Sequence, residues 1–143
     1  MTLSPHDQQR LLGVHPVLIA AIEDIFTHMA QAGAPMFVIG GVRTPEQQGA
    51  LYAQGRTAPG KIVTYCDGVT KKSDHETELD GYGHAVDCAF LPTKDKPDPW
   101  GSYWPWTMFE RIVIDAGSQA GGNFKQPADL DHVQYVAKGT VSP

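Results

Sequence analysis

The sequence predicts an α+β fold, a single domain over residues 1–143 in which helices pack on a small, largely antiparallel sheet. Three observations lead there. Apolar residues recur at three and four from Val17 to Met29, the spacing of a helix face. Short runs at Met36–Ile39, Ala85–Phe90 and 132–136 read as strands and are separated by long polar stretches. A chain of 143 residues with 41% apolar and 19% charged residues suits one core.

The elements follow in order. Ser4-Pro5-His6-Asp7 starts a short helix, with a cap residue and then proline at the first helical position, and this helix stops near Gly13. His15-Pro16 starts the next, whose apolar face is Val17, Leu18, Ala21, Ile22, Ile25, Phe26 and Met29; Gly33 suits its left-handed end. Met36–Ile39 is a strand broken by Gly40-Gly41. Thr44-Pro45-Glu46-Gln47 opens a helix carrying Ala50, Leu51 and Tyr52. Gln54 to Gly60 is a loop, Lys61 to Tyr65 a short strand, and Asp67 to Tyr82 a polar loop. Ala85–Phe90 is a strand, Pro92 to Pro99 a loop, Pro105 to Ala116 a helix, Gly117 to Gly122 a turn, and 132–136 a final strand.

Composition excludes several classes. A net charge of −5 argues against nucleic acid as a partner, because phosphate contacts need a basic face. No apolar run approaches bilayer length, and the first residues lack the pattern of a secretory signal, so membrane insertion is not expected. Two cysteines, Cys66 and Cys88, are too few for a disulfide scaffold and are read as free thiols.

One constellation carries chemistry. His75, Asp87 and His132 sit before, within and at the start of strand-like segments. Two imidazoles and a carboxylate suit a zinc ion that keeps one position for water. Asp87, mid-strand among apolar residues, needs a partner if buried; a metal is one and an arginine is the other. Alternation places Ala85 and Asp87 on one face of the strand and Val86 and Cys88 on the other, so Cys88 reads as a core thiol rather than a soft metal ligand, while Cys66 stays open. Asp129, three residues before His132, is positioned to act as a general base. Arg43, directly after the Met36–Ile39 strand, offers a forked cation for a carboxylate or a developing oxyanion.

These residues resemble the motif set of the M15 zinc peptidases: Ser73-x-His75, Gly83-x-Ala85-x-Asp87 and Asp129-x-x-His132. The stretch "GGVRTPEQQGALYAQGRTAPGKIVT" is similar to the phage endolysins of that family, and the resemblance runs from about Phe37 to Tyr135. It implies zinc held by His75, Asp87 and His132, Asp129 as base, and Arg43 on the substrate or transition state. It implies a peptidoglycan hydrolase that cuts the stem peptide of the bacterial wall. The expected bond is L-alanyl-D-glutamate; the alternatives are a D,D-carboxypeptidase removing terminal D-alanine, or a zinc-stabilised wall-binding module without turnover. The endolysin likeness further implies a monomer held in a host cytoplasm until lysis releases it to the wall.

The chain departs from the family in one place. Glu76 to Tyr82 intervene between the histidine and the Gly-x-Ala-x-Asp run, where the family usually has two residues. Loop-closure entropy grows slowly with length, so His75 and Asp87 can still converge; the fallback ligand is His84. The excursion carries Asp74, Glu76, Glu78 and Asp80, which either form a solvated acidic loop or hold calcium at 74–80. Three further residues are assigned near substrate: Ser73, which orients the loop by the metal, Gln134 beside His132, and Trp104 as a groove floor. Trp106 reads as core.

Overall fold

A computed structural model of the chain describes residues 3–121 and 130–135. The elements are α1 (Pro5–Arg10), α2 (Pro16–Gln31), β1 (Met36–Gly40), α3 (Pro45–Ala53), β2 (Ala85–Phe90), α4 (Trp106–Asp115), β3 (Gln119–Ala120) and β4 (His132–Gln134). The strands form one antiparallel sheet in the order β1-β2-β4-β3. Among the described residues no helix is long and apolar enough to cross a membrane.

Local chemistry sets the helix starts. The Ser4 hydroxyl accepts from Asp7 N, and His15 Nδ1 accepts from Val17 N, each followed by proline at the first helical position. Thr44 and Gln47 form a reciprocal capping box at the head of α3. Leu18, Ile22, Ile25, Phe26 and Met29 form the buried stripe of α2. They join Val38, Val86, Cys88, Phe90 and Val133 of the sheet and Phe109 and Val113 of α4 in a single core.

Each such side chain contributes about 1.5–3 kcal/mol on burial, which fixes the sheet's inner face. By alternation the opposite face of β2 presents Ala85, Asp87 and Ala89. Register then sets Gly40 of β1 and His132 of β4 on either side of Asp87. A bulge between Val38 and Gly40 shifts β1 by one residue just before the turn that carries Arg43.

Two local expectations are corrected. Lys61 to Tyr65 is not a strand; Thr64 Oγ1 and Cys66 O are taken instead by the amide of Gln48, so the segment is tied to α3 by a side chain rather than by a ladder. Within the expected Gly117 turn lies the two-residue strand Gln119–Ala120, too short to show any alternation in sequence.

Candidate metal centre

Asp87 is placed by β2, His132 by β4 directly opposite it, and His75 by the turn that follows the Lys71–Lys72 pair. Ser73 Oγ accepts from His75 N at 3.2 Å, and the backbone of Arg43 donates to His75 O at 2.8 Å. The turn is thereby pinned to the end of β1. His75 Nε2, His132 Nδ1 and the Asp87 carboxylate converge. The two nitrogens are 3.2 Å apart, His75 Nε2 lies 3.4 Å from Asp87 Oδ2, and His132 Nδ1 lies 3.4 Å from Oδ1. Ligands about 2.0–2.1 Å from a tetrahedral zinc sit roughly 3.3 Å from one another, so the spacing fits. Among the described residues this is the group of three that could hold a metal ion.

The outer hydrogen bonds sharpen the fit. His75 donates through Nδ1 to Gly41 O at 2.8 Å, and His132 donates through Nε2 to Gln134 Oε1 at 3.1 Å. Each bond selects the tautomer whose lone pair faces inward. Two lone pairs and a carboxylate therefore meet in a site where the Asp87 side chain is only 14% exposed. Asp87 Oδ1 is buried without a hydrogen-bond partner. Such a cluster demands positive charge at its centre, either protons shared with the imidazoles or a metal cation. Burial alone would push the Asp87 carboxyl up; contact with His132 and His75 outweighs it and holds the group well below the usual carboxylate range.

The fourth member is Arg43. Its Nη2 donates to Asp87 Oδ2 at 2.9 Å and its Nη1 to Gln48 Oε1 at 2.9 Å. One of the partners foreseen for Asp87 is thus present: Oδ2 meets the arginine, while Oδ1 faces His132 Nδ1.

The fold meets the remaining expectations unevenly. Ser73 is buried and its hydroxyl serves the His75 turn. Gln134 holds His132 from outside. Trp104 is corrected: it is buried, stacked on Phe90 at 4.9 Å and 8°, with its indole N–H on Asp98 O, so it has no free face for substrate. Phe90 lies on the core side of β2, three residues and therefore one face away from Asp87. Trp106 packs against the same core. Asp129 lies outside the described residues.

His84 is no ligand; its Nε2 faces Asp80 Oδ2 at 2.7 Å. Neither cysteine joins the cluster, and Cys88 is fully buried on the core face, where desolvation raises its thiol pKa. Nothing supports the calcium expectation at 74–80: Glu76 Oε1 accepts from Ser73 N, and Asp80 caps its own turn through Tyr82 N. The excursion closes on itself through Glu78 N to Tyr82 O and Gly81 N to Glu78 O, leaving His75 and Asp87 free to meet. Gly83, the residue after it, leaves no room for a side chain: a Cβ there would stand 2.9 Å from Val42 Cγ2 and 3.2 Å from His75 O.

No protein-family model matches the chain. The peptidoglycan L-alanyl-D-glutamate endopeptidase CwlK of Bacillus subtilis (strain 168) is 29% identical over 131 residues, covering 86% of this chain and 74% of that protein. This relative is in keeping with the resemblance to the M15 zinc peptidases and extends it over most of the chain.

The fold is shared with solved structures. The L-Ala D-Glu endopeptidase ChiX of Serratia marcescens superposes with a TM-score of 0.62 at 22% identity, over 95% of this chain and 90% of that one. The vancomycin-resistance D,D-pentapeptidase VanY, described in complex with Zn(II), superposes with a TM-score of 0.58 at 16% identity, over 87% of this chain and 73% of that one.

One residue of this site was not legible in the sequence. Gln48 is fully buried on α3, and its amide is spent completely: Oε1 on Arg43, Nε2 on Thr64 Oγ1 at 3.2 Å and on Cys66 O at 2.9 Å. The only sequence signal was a polar residue one helical turn after the N-cap Thr44, which reads as surface.

Proposed function

We propose that this chain is a zinc-dependent peptidoglycan hydrolase that cleaves an amide of the stem peptide, with L-alanyl-D-glutamate as the bond. The observation that carries the reading is the convergence of His75 Nε2, Asp87 and His132 Nδ1 at 3.2–3.4 Å with their lone pairs turned inward. The bond is chosen because CwlK, related over most of the chain, is named for it.

When bound, zinc would lower the pKa of a coordinated water to about 7 and polarise a carbonyl. The protein supplies the rest. Gly41 O and Gln134 hold the two imidazoles in tautomer and orientation. Arg43 keeps Asp87 aligned, and with two of its five N–H donors committed it has others for a substrate carboxylate or a developing oxyanion. Asp129, three residues from His132, takes the proton from the attacking water and returns it to the leaving amine; a base in that place contributes about 10²–10⁴-fold. The lytic role, with accumulation in a host cytoplasm and action at the wall after release, extends the proposal on the endolysin likeness of the Phe37–Tyr135 stretch.

The test is digestion of purified peptidoglycan by zinc-loaded protein, with mass spectrometry of the released fragments. Cleavage between L-alanine and D-glutamate is expected. Release of terminal D-alanine instead would make the chain a D,D-carboxypeptidase, and wall binding without cleavage would leave a zinc-stabilised binding module. Asp129→Ala should keep zinc and lose most turnover; near-normal cleavage by that variant would remove Asp129 from the mechanism.

A further inference from the structure

A second recess lies outside the metal cluster, between α1 and the end of β1. It measures about 460 Å³, and its walls include His6, Gln9 and Arg10 of α1 and Gly40, Gly41 and Val42. Its charge is opposite to that of the molecule as a whole: the chain carries −5, yet the recess offers a guanidinium and no carboxylate. Among the described residues Arg10 enters no ion pair. The neighbouring acid, Asp7, is buried, with Oδ1 occupied by Val38 N at 2.9 Å.

The recess is also built to stay open and to stay in place. A Cβ at Gly40 would meet nothing within 4 Å, so that wall is bare backbone facing free space. A Cβ at Gly41 would stand 2.8 Å from Arg10 O, so the end of α1 sits tight against the strand. His6 is anchored by donating through Nε2 to Val38 O at 3.0 Å, and its ring lies 6.0 Å from that of Phe37.

Phe37 pairs with Ala89 and therefore shares the face of the sheet that carries Asp87. Gly40 pairs with Asp87 itself, and Gly41 O holds His75. The recess and the metal cluster thus share the backbone of Gly40 and Gly41, which lines the one and flanks the other.

We propose that this recess is a second carboxylate subsite, in which Arg10, with the amide of Gln9, pairs with a free carboxylate of a peptide that crosses the open face from the metal cluster. That the peptide is a wall stem rests on the function proposed above; the anion site rests on α1 and β1 alone. A purely structural role for Arg10, complementing the C-terminal end of the α1 dipole, predicts no ligand effect.

Two measurements separate the claims. The first is NMR titration of glutarate into the zinc-loaded protein, read at the Gln9 side-chain amide and the Arg10 Nε–H. Saturable shifts at millimolar glutarate are expected for the native protein. Arg10→Lys should weaken the shifts at Gln9, and Arg10→Gln should abolish them. Absence of shifts in the native protein, or persistence of the Gln9 shifts in Arg10→Gln, overturns the subsite.

The second is hydrolysis of stem peptides with free or amidated carboxylates. The free acids should show a KM lower by about three- to fivefold, the range of a solvent-exposed ion pair, and Arg10→Gln should erase that preference. Equal KM values in the native protein, or a preference that survives Arg10→Gln, overturn it as well. Glutarate shifts together with no hydrolysis of either peptide would support the subsite and sink the peptidase reading.

Discussion

Arg43 and Asp87, 44 residues apart in the chain, meet at 2.9 Å, and the guanidinium holds Oδ2 of the carboxylate. Arg43 is itself held by Gln48 at 2.9 Å. The site is therefore a relay in which a buried amide orients a cation, the cation orients a carboxylate, and the carboxylate completes a three-ligand cluster. Arg43→Met should lower zinc affinity about 10–100-fold, the usual cost of removing an outer-shell partner of a metal ligand. Arg43→Lys should recover part of that loss, because it restores the charge without the two-pronged reach to Asp87 and Gln48. Competition against a chromophoric chelator measures both; unchanged affinity in Arg43→Met would dissolve the relay.

Gln48→Leu should cost about 1–3 kcal/mol, since it strands the Cys66 carbonyl and one arm of Arg43, while Thr64 Oγ1 keeps only its bond from Cys66 N. At this chain length that corresponds to roughly 2–4 °C of melting temperature per kcal/mol. Calorimetry of the metal-free variant isolates the structural part. A further drop in kcat beyond the zinc deficit would show that Arg43 also acts on substrate.

Removing the metal should abolish turnover and also destabilise the protein. A ligand at a thousandfold excess over its dissociation constant adds about 4 kcal/mol to the folded state. Chelation should therefore lower the melting temperature by several degrees, and added zinc should restore both stability and activity. His75→Ala and His132→Ala should each abolish the zinc-dependent part of the melting shift. Retention of that shift in either variant would show that the ion sits elsewhere.

The excursion at 76–82 should loosen in acid. Desolvation raises the Asp80 carboxyl, but the N–H of Tyr82 and the imidazoles of His84 and His15 together outweigh it, so its pKa is lowered in the folded protein. A depressed acid contributes stability that is present above its unfolded value of about 3.9 and is lost as pH falls below it. Amide exchange at 78–82 should accelerate below about pH 4 in the native protein. Asp80→Asn should show the faster exchange already at neutral pH. Equal exchange in variant and native protein at pH 7 would leave Asp80 without an anchoring role.

The sequence alone determined what depends on neighbours along the chain. The 3–4 spacing of Leu18, Ile22, Ile25, Phe26 and Met29 required a helix buried on one side, and that is how α2 packs. Alternation in Ala85–Phe90 sent Cys88 to the core and Asp87 to the other face, and that too is what β2 does. Ser4 and Thr44 marked helix starts because capping is a contact over three residues.

The tertiary structure alone decided the contacts that have no period. His75 and His132 meet across 57 positions, and nothing local to either states the 3.2 Å between them; motif resemblance supplied that pairing, not spacing. Trp104 looked like a groove floor because aromatic residues in a proline-rich loop serve cores and surfaces alike, and only the arrival of Phe90 beneath it settled which. Lys61 to Tyr65 failed as a strand because a strand needs an edge to pair with, and Gln48 reached that segment first. Side-chain periodicity reports which face an element buries; which buried polar groups find one another is set by how the elements stack, and that information is distributed over the whole chain.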